Sequence, residues 1–187
     1  ITHLAKSNNI PVFEPDRISK EEDIISSLKK LEADFFITFA FGQILSQEVI
    51  DIPKFATINL HASLLPEYRG ANPIATAIIE GHKKTGITTM KTVLELDAGD
   101  ICLQKEIEIP ENMNVIELME KISVLSPDLL DKTLKGLYSG SIKPISQDDS
   151  KATFTKKLKK EEKVIDWNME ATTLHNKIRR MYLINTN

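Results

Sequence analysis

The stretch DFFITFAFGQILSQEVIDIPKFATINLH, residues 34–61, decides the fold class. It opens with a continuous apolar, aromatic and β-branched run from Asp34 to Phe41, which is typical of a strand buried on both faces of a parallel sheet. Gly42 ends that run, a short helix is predicted near Ser46 to Ile50, and Ala56 to Leu60 is predicted as a second buried strand. Strand, helix and strand in succession predict an α/β fold with a mostly parallel sheet.

The flanking sequence continues this alternation of strands and helices. Upstream, Ile10 to Phe13 is predicted as a short strand, and Ser19 with Glu22 as a capping box opening a helix to about Leu31. Gly140 to Ser150 is polar and is predicted to be a linker. Downstream helices are predicted from Pro73 to about Glu80, from Asn114 to Tyr138 with a break at Ser126-Pro127, and from Asn168 to Leu183. Two β-rich segments are predicted at Gly86 to Leu94 and Gly99 to Ile109.

The composition is that of an ordinary globular protein. Of the 187 residues 41% are hydrophobic and 27% are charged, which excludes a disordered or fibrous chain. The net charge of −3 gives no overall attraction for nucleic acid, so RNA binding would need a local patch or segments absent from this sequence. The single cysteine, Cys102, excludes an internal disulfide framework and fits a reducing, cytosolic compartment. No apolar run approaches the ~20 residues of a membrane span, so no membrane partner is expected.

A polar pair at the end of the second predicted strand is the candidate reaction centre. Asn59 and His61 stand at positions i and i+2, so a strand directs both side chains to the same side. An Asn amide can donate a hydrogen bond to a developing oxyanion, and histidine titrates near neutral pH. Asp97 lies in the Gly-containing stretch ELDAGD, and a carboxylate there could pair with His61 and fix its tautomer.

Each of these features also has a purely structural explanation. An Asn-x-His pair at a strand end is more often a turn with a satisfied polar contact. Asp97 alone is more often a turn residue, and Arg69-Gly70 alone is more often a loop. From spacing alone, the three side chains therefore remain one hypothesis among several.

The longer string INLHASLLPEYRGANPIATAIIEGHKKTGITTM, followed by ELDAGDICLQKEIEI, is similar to the formyltransferases that use 10-formyltetrahydrofolate. The shared pattern is Asn-x-His-x-Ser-Leu-Leu-Pro, then Arg-Gly, a Pro-led helix, Thr-Gly-Ile-Thr and Leu-Asp-x-Gly-Asp. The stretch FAFGQIL, residues 39–45, resembles the family's segment beside the folate. The resemblance extends from about Ile10 to about Arg180 and implies a partial Rossmann-like formyltransferase domain.

The resemblance also implies roles for individual residues. The family's catalytic Asn, His and Asp fall on Asn59, His61 and Asp97. Asn59 would donate to the oxyanion of a tetrahedral intermediate, His61 would share that task and help the folate nitrogen leave, and Asp97 would orient His61 and accept a proton from the attacking amine. No metal is implied. The residues implied to line the folate site are Phe41, Gly42, Ile44, Leu45, Ser63, Leu64, Leu65 and Pro66.

Several of these positions keep an alternative. Arg69, followed by Gly70, is expected either near the acceptor end of the substrate or holding its own loop. Simple core packing is the alternative for Ile44 and Leu45. The remaining histidines, His3, His82 and His175, show no metal-ligand spacing and are interpreted as surface or packing residues.

The downstream sequence bears on the acceptor. TFTKKLKKEE at residues 153–162, IDW at 165–167 and the following helix resemble the linker of family members that formylate initiator methionyl-tRNA. A sugar nucleotide or another small amine as acceptor, and a non-catalytic relic, are the open alternatives. The lysines that could touch tRNA phosphates, or form a solvated face, are Lys156, Lys157, Lys159 and Lys160.

The resemblance further implies that the sequence is a fragment. Family members normally carry about two more N-terminal strands with an inserted loop, and a C-terminal β-barrel domain. Residues 1–140 are therefore expected to form an N-terminally incomplete catalytic domain, and residues 141–187 a linker with the start of a C-terminal region. The complete protein is expected to be a monomer, and these residues alone should expose a sheet edge.

Overall fold

The computed structural model describes residues 2–157 and 164–181. The strands are β1 (Phe35–Thr38), β2 (Ala56–His61), β3 (Arg69–Gly70), β4 (Lys84–Lys91), β5 (Ile101–Glu108) and β6 (Phe154–Thr155). The α-helices are α1 (Thr2–Ser7), α2 (Glu22–Lys30), α3 (Gln47–Ile50), α4 (Pro73–Ile79), α5 (Val115–Tyr138) and α6 (Ala171–Arg180). Single turns of 3₁₀-helix occupy Ile18–Lys20 and Asp149–Lys151.

The central sheet has the strand order β1-β2-β4-β5. β1 and β2 are parallel, as predicted for the two strands that flank α3, with Thr38 beside Asn59 at their carboxyl ends. β4 is antiparallel to both β2 and β5. Within the described sheet β1, β2 and β5 therefore run in one direction and only β4 is reversed, so the predicted α/β fold with a mostly parallel sheet is confirmed.

Local sequence accounts for where several helices begin. The Ser46 hydroxyl accepts a hydrogen bond from the Val49 amide and so caps α3. Pro73 occupies the first turn of α4, where its missing N–H costs nothing. Asn114 and Glu117 form a capping box that starts α5.

The predicted break at Ser126-Pro127 is wrong, because α5 continues unbroken through it. Leu118, Ile122 and Leu129 form one buried face of this helix in the core. That packing on both sides of the proline outweighs the one hydrogen bond that proline cannot donate.

Two predictions near the N-terminus are also wrong. Ile10 to Phe13 forms no strand; Ile10 and Phe13 are exposed and have no strand partner among the described residues. Ser19 does not cap α2, because its hydroxyl donates to the Ile44 carbonyl and accepts from the Ser46 amide. Glu21 occupies the N-cap position of α2 instead.

The first strand is shorter and more exposed than its sequence predicts. β1 ends at Thr38, lies at the edge of the described sheet, and leaves Ile37 47% exposed. Burial on both faces is therefore wrong for β1, because nothing in the described ranges covers Ile37. For β2 the predicted burial is confirmed, with Ile58 fully buried.

Helices α4 and α5 bury their apolar faces against the sheet. This core contains Leu60, Tyr68, Ala77, Ile78, Ile87, Ile107, Ile109, Val115, Leu118, Ile122 and Leu129. No helix in the described ranges is long and apolar enough to cross a membrane.

The segment that follows α5 lies against the sheet. Ile145 pairs with Ile101, and β6 pairs in parallel with β3. The predicted final helix is confirmed as α6, where the Arg179 guanidinium donates to the carbonyls of Met113 and Ile78. Its predicted end at Leu183 lies outside the described residues, and the domain division at residue 140 stays a prediction.

Candidate active site

Three polar side chains meet where β2 ends. Asn59 and His61 lie on the same side of β2, and Asp97 reaches them from the loop between β4 and β5. The Asn59 amide Nδ2 donates to Asp97 Oδ1 at 3.4 Å, and His61 Nδ1 lies 3.5 Å from Asp97 Oδ2. The structure thus brings together the three side chains that the sequence singled out, while their catalytic role stays a prediction.

Thr38 fixes the orientation of the Asn59 amide. Its hydroxyl donates to Asn59 Oδ1 at 2.9 Å, across the parallel pair in which the two residues are register partners. Because Oδ1 is occupied in this way, the donor end of the amide faces Asp97. An Asn side chain carries two N–H donors at that end.

The other ring nitrogen of His61 faces a backbone carbonyl. Nε2 lies 2.8 Å from the carbonyl oxygen of Tyr68. A carbonyl only accepts, so Nε2 carries the proton and donates it, and Nδ1 is directed to Asp97. The imidazole, of which 7% of the side chain is exposed, is therefore held from both sides.

Tyr68 is itself strongly held. Its φ of +61° lies in the left-handed region, and its hydroxyl bonds to Glu80 and His82, each at 2.5 Å. Burial, followed by the hydrogen bond to Glu80, raises the pKa of the Tyr68 phenol. The hydroxyl therefore keeps its proton, and its bonds to Glu80 and His82 anchor the Tyr68 side chain.

The Asp97 carboxylate has a third contact. The Gly70 amide donates to Asp97 Oδ2 at 2.8 Å, so β3 contributes a backbone donor to the site. Gly70 has a φ of +108°, and a Cβ there would stand 2.5 Å from the Thr155 carbonyl oxygen. Glycine is thus needed at this position both for its backbone conformation and for the close approach of β6.

The Arg69 side chain extends into the segment after α5. It is 2% exposed, and its guanidinium donates to Gln147 Oε1 at 2.9 and 3.1 Å and to Asp149 Oδ1 at 2.6 Å. A second carboxylate, that of Glu95, lies 4.0 Å from it. This arrangement favours the loop-holding alternative for Arg69, and a substrate contact for Arg69 or Gly70 stays a prediction.

The stretch predicted to lie beside the folate is an exposed loop. Ile44 is 88% exposed and Phe41 44% exposed, so core packing is the wrong interpretation for Ile44. Gly42 has a φ of +75°, and Leu45 is half-buried. The Gln43 side chain ties this loop to residues 15–18 through the Pro15 carbonyl and the Ile18 amide.

The second predicted folate segment, residues 63–66, is packed into the protein. Ser63 is fully buried, and its hydroxyl donates to the Glu67 carbonyl. The Leu65 carbonyl accepts from Gln104, and the Leu65-Pro66 bond is cis. Leu64 lies against Gly86 of β4. Ser63 and Leu65 thus shape the loop beside His61, and a folate contact for residues 63–66 stays a prediction.

The remaining candidates lie away from this centre. Lys156 and Lys157 are exposed, whereas Lys159 and Lys160 lie outside the described residues. Of the three other histidines, His3 and His175 are exposed and His82 packs against Tyr68. In residues 2–157 and 164–181 no three His, Cys, Asp or Glu side chains are grouped so that they could hold a metal ion.

Three residues of the site were not predicted from the sequence. Thr38 could have been found, because it lies within the predicted strand next to the one that carries Asn59, and the two were expected to be parallel. The role of the Tyr68 carbonyl gives no sequence signal, since every residue has a carbonyl. Gln147 lies in the polar segment predicted to be a linker, and only the fold brings it to the loop of Asp97.

The known proteins most similar in sequence among those compared are formyltransferases. The family model described as "Formyl transferase" matches residues 2–134. The methionyl-tRNA formyltransferase of Clostridium novyi is 46% identical over 179 residues, which is 96% of this chain and 58% of that relative. The methionyl-tRNA formyltransferase of Clostridium botulinum is 47% identical over 171 residues, 91% of this chain and 55% of that relative. The chain thus spans somewhat over half the length of these curated relatives.

A solved structure shows the same fold. It is an N-formyltransferase from Helicobacter canadensis in complex with folinic acid and dTDP-3-aminofucose, and it matches with a TM-score of 0.75 at 20% identity. The match covers 96% of this chain and 63% of that one.

Proposed function

The chain belongs to the formyl transferase family, and we propose that its Asn59–His61–Asp97 site transfers a formyl group from 10-formyltetrahydrofolate to the α-amine of initiator methionyl-tRNA. The names of the relatives support both the reaction and the acceptor. A protein with this role in translation initiation would act in the cytoplasm, as a monomer in this proposal.

One observation carries the proposal. An amide donor, an imidazole and a carboxylate converge within 3.5 Å at the carboxyl end of β2, in a chain 46% identical to a methionyl-tRNA formyltransferase. Ligands of open α/β sheets bind outside the carboxyl ends of the strands. The three groups are also those that acyl transfer to an amine requires: an oxyanion donor, a proton donor and a proton acceptor.

The chemistry begins when the α-amine of the methionyl group attacks the formyl carbon. The new C–N bond forms as the carbonyl oxygen takes up negative charge, and the second N–H of Asn59 is placed to donate to that oxygen. Such a donor contributes about 10²- to 10³-fold in rate. Collapse of the tetrahedral intermediate breaks the bond to the folate nitrogen and releases formylmethionyl-tRNA.

The attacking amine loses one proton and the folate nitrogen gains one, so the site needs a group that accepts a proton and a group that donates one. Asp97, the carboxylate of the group, accepts the proton from the attacking amine, directly or through a water molecule. His61, held between Asp97 and the Tyr68 carbonyl, supplies a proton to the leaving nitrogen, and the proton on Asp97 then passes to His61, which returns both groups to their starting states. General acid–base catalysis of this kind is worth about 10²- to 10⁴-fold.

The test is a comparison of acceptors. The full-length protein, supplied with 10-formyltetrahydrofolate, is assayed with initiator methionyl-tRNA, with an amino-sugar nucleotide and with free methionine. The proposal expects formylmethionine attached to tRNA to form much faster than either other product. Transfer to the sugar nucleotide alone would change the acceptor, and no transfer to any of the three would remove the activity.

A further inference from the structure

Gln147 joins two parts of the active site that are far apart in sequence. Its Nε2 donates to the carbonyl oxygens of Asp97 at 2.9 Å and Gly99 at 2.7 Å. Its Oε1 accepts from Nε and Nη2 of Arg69 at 3.1 and 2.9 Å. We propose that Gln147 is a positioning residue, which holds the Asp97 carboxylate in its working place by clamping the loop that carries it. The catalytic part of this inference rests on the proposed formyl transfer.

The contacts define the orientation of the Gln147 amide. A guanidinium can only donate and a carbonyl oxygen can only accept, so Oε1 must face Arg69 and Nε2 must face the two carbonyls. Arg69 is itself 1% exposed and anchored to Asp149 at 2.6 Å, which gives the clamp a fixed base. Each end of the amide is thus held by two hydrogen bonds.

The loop of Asp97 needs such a clamp. Asp97 has a φ of +50°, in the left-handed region that is uncommon for residues other than glycine, even though aspartate tolerates it better than most. On one side of it, Leu96 is 61% exposed and Glu95 is exposed, so packing does little to hold the loop there. Gln147 bonds the Asp97 carbonyl itself, and Gly70 bonds its side chain. Together they determine where the carboxylate stands relative to His61.

A consequence concerns the segment after α5. Its composition indicates a linker, yet Gln147 and Asp149 from this segment brace the active-site loop. Residues 141–149 would therefore belong functionally to the catalytic unit. Replacing them by an unrelated linker should impair catalysis even if the fold survives.

Gln147→Glu tests the contacts to the loop separately from the contact to Arg69. The carboxylate has the size of the amide and binds Arg69 at least as well. It cannot donate to the carbonyls of Asp97 and Gly99, and its oxygen would be repelled by them. In the full-length protein we expect kcat for formyl transfer to fall about 10- to 100-fold, the scale of a misplaced catalytic group, with both KM values within about threefold. Gln47→Glu is the matched control; it makes the same substitution at an exposed side chain of α3, whose amide donates to Asp51, and should change kcat by less than about twofold.

A double-mutant cycle shows whether Gln147 acts through Asp97. If it does, Gln147→Glu should lower kcat no further in an Asp97→Asn background, because the group being positioned is already disabled. Equal losses in both backgrounds, or an unchanged kcat in the single variant, would overturn the inference.

Hydrogen exchange gives a readout that needs no turnover. The Gly70 amide donates to Asp97 Oδ2, so its exchange rate reports whether the carboxylate stands in place. Gln147→Glu should speed exchange at Gly70 severalfold but not at Thr92, whose amide donates to the Thr57 carbonyl. Unchanged exchange at Gly70 would overturn the positioning role. Faster exchange at Gly70 in a protein without formyltransferase activity would instead remove the proposed function and leave the clamp standing.

Discussion

Nδ1 of His61 lies 3.5 Å from Oδ2 of Asp97. The two side chains are only 7% and 12% exposed, so the electrostatic interaction between the ring and the carboxylate is screened less than it would be on the surface. The same carboxylate oxygen accepts from the Gly70 amide, which leaves Asp97 little freedom to rotate. The arrangement presents a preorganised base rather than a mobile one.

Removing the charge of Asp97 should disable catalysis while leaving folate binding nearly intact. We expect Asp97→Asn to lower kcat about 100- to 10,000-fold, because the amide neither accepts a proton nor pairs with a charged His61. Folate affinity, measured by calorimetry on the same preparation, should stay within about threefold. Asp128→Asn, which breaks an exposed ion pair with Lys132 on α5, is the control and should behave as wild type. Full turnover in Asp97→Asn would remove Asp97 from the mechanism.

Thr38 should contribute to catalysis only through its hydroxyl, which orients the Asn59 amide. Thr38→Val keeps the size of the side chain but removes the donor that orients the Asn59 amide, so kcat should fall about tenfold, the scale of one lost hydrogen bond. Thr38→Ser restores the hydroxyl and should recover most of that loss. Equal activity of the Val and Ser variants would show that the amide is oriented by something else.

Gly70 should be the more costly of two glycines to replace. Gly70→Ala adds a Cβ 2.5 Å from the Thr155 carbonyl oxygen at a φ of +108°, and we expect it to lower the free energy of unfolding by roughly 2–4 kcal/mol. Gly140→Ala is the matched control: its φ is +72° but nothing lies within 4 Å, so only about 1–2 kcal/mol of backbone strain is expected. Denaturant unfolding of both variants measures the difference, and equal losses would contradict the predicted clash with β6.

Cys102 should be unreactive until the protein unfolds. Burial raises the pKa of its thiol to about 11, and the thiolate is the reactive form. At pH 8 only about one thiol in a thousand is then ionised in the folded protein, against roughly a quarter at the ordinary pKa near 8.5. Alkylation by iodoacetamide at pH 8 should therefore be far slower in the native protein than in denaturant, and its rate should rise steadily up to about pH 11. Rapid native labelling at pH 8 would contradict this.

The parts of the fold that follow from local sequence were predictable. The buried strand β2, the capped helix α3 and the Pro-led helix α4 each carry their own signals, and each is where those signals place it. The run from Asp34 to Phe41 misled because apolar composition does not say whether a strand is central or at an edge. Ser19 misled because its hydroxyl has partners in residues 44–46 that a local pattern does not reveal.

In the candidate site, too, some residues follow from local sequence and others depend on long-range contacts. Asn59 and His61 share a side of one strand, which alternation predicts directly, and the motif supplied Asp97. The supports of the site are long-range contacts: the Tyr68 carbonyl, the Thr38 hydroxyl and the Gln147 amide reach it only through tertiary packing. Residue type alone could not have distinguished Gln147 from any other polar residue of its segment.

The proposed mechanism requires Asn59, His61 and Asp97 to converge on the formyl carbon of the bound folate. The most direct measurement is a crystal structure of the full-length protein with a hydrolysis-resistant analogue of 10-formyltetrahydrofolate. We predict that Asn59 Nδ2 stands about 2.7–3.1 Å from the position of the oxyanion, with the Asp97 carboxylate facing the side from which the amine attacks. A formyl group bound well beyond hydrogen-bond reach of all three side chains, in an active site otherwise unchanged, would contradict it.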